Sequence, residues 1–140
     1  MSYVSILAPV FALVLLTFVL LIATGRKRLA AVRAGEVKIR DIALGQRNWP
    51  DHVAQCSNAF DNQFQIPVLF YVLTAFAMLT KQADLVFVIM AWIFVALRAL
   101  HAWIYVTTNN IRNRFNSYLA GVLVLMLMWL LFALEMAGVM

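Results

Sequence analysis

From residue 1 to residue 25 the chain carries no charged side chain, and its centre, residues 4–23, is almost wholly apolar. A helix rises 1.5 Å per residue, so about 20 such residues cross the hydrocarbon core of a bilayer. The run lacks the basic leader and short apolar core of a cleaved signal, and it reads as a retained helix. Three further apolar stretches follow. The first, residues 62–80, contains Pro67, which a membrane helix tolerates when neighbours satisfy the freed carbonyl. Its start is set back to Asp51 by the Trp-Pro-Asp signal at positions 49–51. The next, residues 85–108, is interrupted by Arg98 and His101, and the last, residues 115–134, is again free of charge.

Composition agrees with spans rather than with a buried core. Hydrophobic residues are 65% and charged residues 12% of the 140, against about 45–50% and 25% in soluble domains. A soluble globule this small cannot hide that much apolar surface, so the surplus faces lipid. One cysteine, Cys56, excludes a disulfide-stapled fold. The expected fold is therefore all-α, a single domain over 1–140, forming an antiparallel four-helix integral membrane bundle. Its helices are expected over about 3–32, 51–79, 84–109 and 114–137.

The net charge of +5 is localised. Seven of the eleven Lys and Arg residues lie between Arg26 and Arg47, with no recognition motif and no basic helix of nucleic-acid-binding type. Nucleic acid is not an expected partner; membrane lipids are. Arg112 and Arg114 occupy the last turn, and the connection between helices two and three offers only Lys81. The positive-inside rule places the first and third connections in the cytoplasm and both termini on the far side. A compact chain with no eukaryotic retention signal fits a bacterial inner membrane with periplasmic termini. The basic first connection either extends helix one or lies along the interface, and the pattern leaves both open.

Polar residues inside the spans are the functional signal, because a charge at mid-bilayer disfavours insertion by about 2.5–3.5 kcal/mol. Arg98, His101, Tyr105 and Arg112 recur at offsets of 3, 4 and 7, returning to one helical face over about 21 Å. Asn58, Asn62 and Gln65 form a second stripe at i, i+4 and i+7, with Asp61 beside them. Two readings follow. Either Arg98 with Asp61 and the amides are glue between helices, or the stripes line a cationic site for an anionic or zwitterionic guest. No His, Cys or carboxylate set has metal-ligand spacing, so no metal is expected.

Two segments resemble signatures of the MAPEG family, the membrane-associated proteins in eicosanoid and glutathione metabolism. Asn58-Ala-Phe-Asp-Asn-Gln-Phe-Gln-Ile-Pro67 is similar to the family's helix-two pattern of Asn, acidic residue and Pro. The spacing of Arg98, His101, Tyr105 and Arg112 is similar to its helix-three pattern. The resemblance, to a bacterial-type member, implies a homotrimer with sites at subunit interfaces. It also implies glutathione as co-substrate, with a lipophilic small molecule as the second substrate. Arg98, His101 and Tyr105 would hold the tripeptide, with Asn58, Asp61, Asn62 and Gln65 contributing from helix two. Arg112 would be the catalytic group, stabilising the thiolate. Lowering a thiol pKa from about 8.5 to about 6.5 takes roughly 2.7 kcal/mol, the order that one fixed guanidinium supplies. Active relatives carry Arg and Glu where, with Asn62 as the anchor, this chain has Asn58 and Gln65.

Three functions therefore compete. One is a glutathione-dependent transferase or peroxidase acting on lipophilic electrophiles. The alternative is a non-catalytic protein on the same fold that binds another anionic amphiphile or lipid, which the Asn58 and Gln65 departures favour. A small exporter is the weakest, because the first helix lacks the embedded carboxylate that such transporters need.

Overall fold

The computed structural model describes residues 2–139. It contains five α-helices: α1 (Tyr3–Arg33), α2 (Asp51–Asp61), α3 (Ile66–Leu79), α4 (Leu85–Val106) and α5 (Ile111–Met136). Because α2 and α3 run as one interrupted span, Asp51–Leu79, there are four helices long and apolar enough to cross a membrane. The sequence expectation of four spans holds, with two differences that matter for the site.

The first difference is a break in the second span. After α2 the chain tightens into a 3-10 turn, Asn62–Phe64, and Gln65 adopts φ −98°, ψ −108°, outside helical geometry. Pro67 then sits in the first turn of α3, where a missing N–H costs nothing. The second difference lies between the last two spans. α4 stops at Val106, Asn109 takes a left-handed φ of 49°, and the Asn110 side chain caps α5 by accepting from the Asn113 amide at 3.1 Å. Helix four was expected from 114; it starts at Ile111. Arg112 is consequently in the first turn of α5, not on a continuation of the α4 stripe.

The spans alternate in direction. One end of the bundle gathers Tyr3 and Ile6 of α1, Met78 of α3 and Ala83 just before α4. The same end brings Phe87 of α4 beside Phe132 and Glu135 near the end of α5. α4 is central, packing along α5 and against α1 and α2. Its buried face (Phe87, Ala91, Phe94) meets Leu13, Phe70 and Leu125, and the Phe70 and Phe94 rings stack at 4.9 Å. The opposite faces remain apolar and exposed, as at Phe11, Leu15, Leu123 and Leu130, which is the pattern of helices solvated by lipid.

The basic first connection is folded. α1 continues to Arg33, and Gly35 at φ 75° turns the chain back. Val37 then packs on Ala31 and Val53, with Ile42 and Trp49 against the same cluster. Arg28 reaches across to the Ser57 hydroxyl at 3.0 Å and lies over the Trp49 ring at 5.1 Å.

Candidate functional site

Arg98 is the largest fully buried side chain, 1% exposed in the middle of an apolar bundle. Such a cation needs a negative partner, and the sequence offered Asp61. The structure supplies a different one. Arg98 Nη2 donates to the Asn62 side-chain oxygen at 2.7 Å and to the Asn62 carbonyl at 3.1 Å. Asn62 is the C-cap of α2, so its carbonyl is at the negative end of that helix dipole. The break in the second span thus creates the acceptor that holds the buried cation. Asp61 is exposed, and among the described residues the Arg40–Asp41 ion pair and the His52–Glu36 contact both lie in or beside the first connection.

On the outer side of Asn62 lies a cleft of about 270 Å³, where the break, α4 and the start of α5 meet. Asn62 and Gln65 form one wall, His101 and Tyr105 the second, and Arg114 and Tyr118 the third, with Ile111 and Phe115 also lining it. Asn62 donates from Nδ2 towards Gln65 Oε1 at 3.4 Å. Arg114 lies over the Tyr105 ring, its guanidinium 4.2 Å from the centroid, and also bonds to the Asn109 side-chain oxygen. Stacking on an aromatic face holds a guanidinium in place without neutralising it.

His101 is oriented from its back side. Its Nδ1 is 2.9 Å from the Arg114 carbonyl, which also accepts from the Ser117 hydroxyl at 3.0 Å. A carbonyl only accepts, so Nδ1 carries the proton and, in the neutral ring, Nε2 keeps its lone pair. That Nε2 is buried and has no partner among the described residues. The Tyr105 and Tyr118 rings flank the imidazole at 5.7 and 5.6 Å.

Of the residues singled out from sequence, Asn62, Gln65, His101 and Tyr105 line the cleft. Arg98 stands behind it and touches it through Asn62. Asn58 and Asp61 are exposed on α2 and do not line it. Arg112 is exposed on the first turn of α5 and does not line it either; the guanidinium that does is Arg114. The reason is register. Positions two apart on a helix point about 200° apart, and with α5 starting at Ile111 it is Arg114, not Arg112, that turns inward. Arg114, Ser117 and Tyr118, at i, i+3 and i+4, are polar residues on one face of α5, a signal of the same kind as the α4 stripe.

Fold and site together define a multi-pass helical membrane protein with a polar, cationic cleft near one end of its bundle. The family model described as "MAPEG family" matches residues 6–134, and the chain belongs to that family. No curated protein and no solved structure matches it.

Proposed function

We propose that the cleft binds glutathione and that the protein is a membrane-embedded transferase or peroxidase for lipophilic electrophiles. The observation that carries this reading is the Arg114 guanidinium, stacked on Tyr105, in a cleft it shares with the polar side chains of Asn62, Gln65, His101 and Tyr118. Family membership is consistent with glutathione-related transferase or peroxidase chemistry. Arg114 takes the thiolate-stabilising role that the family resemblance implied for Arg112, because a charge acts on a thiol only from within the same desolvated space. Asn62 and Gln65 offer amides to the tripeptide, and Tyr105 and Tyr118 supply hydroxyls. In a transfer, the thiolate sulfur forms a bond to carbon and the leaving group departs with its electron pair. In a peroxidase cycle, two glutathione thiols become the disulfide while a hydroperoxide becomes an alcohol and water. Apolar substrate enters past Ile111 and Phe115, which are exposed at the mouth.

A cleft of about 270 Å³ is at the small end for a tripeptide plus an electrophile. A second copy of the chain, as in a homotrimer, would wall the open side and is part of the proposal. So are a bacterial inner membrane and, from the basic first connection, termini on the periplasmic side.

The test is equilibrium glutathione binding to the detergent-purified protein, then turnover with a lipophilic aryl halide or a lipid hydroperoxide. Arg114→Ala, with its fold intact, should lose about 100-fold in kcat/KM, the equivalent of about 2.7 kcal/mol of thiolate stabilisation. Arg112→Ala should stay close to the parent. Loss on Arg112→Ala with Arg114→Ala unaffected would overturn the assignment, and no binding at millimolar glutathione would overturn the function. One observation favours a second reading. The cleft lining has one cation and no carboxylate, whereas glutathione carries two carboxylates and an ammonium. A monoanionic amphiphile held without chemistry fits that balance, and its sign would be a fatty acid or lipid retained through purification.

A further inference from the structure

The segment between residues 26 and 47 holds seven cations and two acids, so it carries a charge equal to the whole net charge of +5. Its acids are already engaged, Glu36 with His52 at 3.6 Å and Asp41 with Arg40 at 3.5 Å. The side chains of Lys38 and Arg47 are exposed and make no hydrogen bond or ion pair among the described residues. The connection is also ordered rather than slack. Ile39–Asp41 is a 3-10 turn, Asn48 Nδ2 donates to the Asp41 carbonyl at 2.8 Å, and the Leu44 amide donates to Gln46 Oε1 at 3.0 Å.

Within this ordered piece the apolar residues divide. Val37, Ile42 and Trp49 turn inward onto Ala31 and Val53. Ile39 and Leu44 turn outward, 68% and 88% exposed, among Lys38, Arg40 and Arg47. The packing of Val37 on Ala31 and of Trp49 beneath Arg28 keeps the connection beside the last turns of α1. Those turns start at Gly25, where the charge-free run ends, and reach about 12 Å beyond it, so a connection folded back beside them overlaps the headgroup layer, about 5–8 Å deep on each side. Apolar side chains flanked by cations at that level match an interfacial layer, not bulk water.

We propose that residues 36–48 form an anionic-lipid clamp: Ile39 and Leu44 enter the interfacial layer, and Lys38, Arg40 and Arg47 hold phosphates of anionic phospholipids in the leaflet at this end of the bundle. The clamp does not depend on the glutathione reading, since none of its residues lines the cleft.

Amide hydrogen exchange of the full protein in nanodiscs tests it, comparing phosphatidylcholine alone with a mixture containing about one third phosphatidylglycerol. Exchange across 38–47 should slow by about tenfold or more in the anionic discs, since each basic residue near such a surface contributes about fivefold. The triple variant Lys38→Gln, Arg40→Gln, Arg47→Gln should lose that difference while keeping its helix content. Leu44→Ser should keep the dependence on anionic lipid but lose the protection that survives at high salt. Equal exchange in the two lipids, or a triple variant protected like the parent, overturns the clamp. Protection in the phosphatidylcholine discs by a soluble polyanion such as heparin, equal to that from phosphatidylglycerol, overturns lipid as the partner. Indifference to Leu44→Ser, with all protection erased by salt, overturns the apolar insertion.

Discussion

Removing the Asn62 side chain should destabilise the fold more than removing the buried cation it serves. Arg98 Nη2 makes two bonds to Asn62, at 2.7 and 3.1 Å, and the guanidinium Nε makes none. A hydrogen bond to a charged group is worth about 1.5–3 kcal/mol, so Asn62→Ala, which deletes the shorter bond, should cost about 2–3 kcal/mol. Arg98→Met keeps the stem volume and removes a charge that disfavours insertion by about 2.5–3.5 kcal/mol. It also leaves the two Asn62 oxygens without a donor, at about 1–3 kcal/mol each. The opposing effects nearly cancel, and the net loss should be about 1 kcal/mol. On the Arg98→Met background, Asn62→Ala removes an orphaned acceptor and should cost almost nothing, giving a coupling of about 2 kcal/mol. Cys56 provides the assay. It is the one thiol in the chain, 1% exposed, with the Thr24 hydroxyl donating to its sulfur at 3.4 Å. A fluorogenic thiol reagent therefore reports unfolding in detergent. At about 3–5 °C per kcal/mol for this size, Asn62→Ala should melt roughly 6–15 °C below the parent, with the double variant near Arg98→Met. A double variant whose loss equals the sum of the singles would refute the argument that this pair carries the buried charge.

Two further perturbations address the ends of the bundle. Asp84 caps α4 by accepting from the Phe87 amide at 2.8 Å, so Asp84→Ala should cost about 1 kcal/mol, seen as about 3–5 °C in the same melt; an unchanged melt would mean water serves that amide equally well. Trp49→Ala removes the inward anchor beneath Arg28 and should accelerate tryptic cleavage at Lys38, Arg40 and Arg47 by about tenfold or more, with helix content unchanged. Cleavage at the parental rate would show that Val37 and Ile42 alone hold the connection.

The spans were legible because charge-free runs have one physical reading at this length. The site was legible in part, and the failures share a cause: helical periodicity says which residues share a face only while the helix lasts. The offset of 7 from Tyr105 to Arg112 is valid on one helix, yet Asn109 and Asn110 end that helix between them. Both asparagines were signals in plain sight, since Asn favours left-handed backbone and N-cap positions. The break at Gln65 was less visible. Pro67 fits an unbroken membrane span as well as a new first turn, and the donor to the Asn62 carbonyl at the break is Arg98, 36 residues further along. Formal charge then pointed to Asp61, whereas an amide and a helix terminus one residue later do the work. Neutral polar groups are hard to weigh from sequence because their strength depends on where a helix stops.

The arrangement of Arg98 and Asn62 also bears on how the chain enters a bilayer. Synthesis delivers Asn62 before Arg98, so the acceptor precedes the guanidinium into the membrane. α4 follows into a site that already offers an exposed helix terminus. α5, joined to α4 by the short turn at residues 107–110, can then close over it. The residue hardest to insert thus arrives last of its pair, after its acceptor.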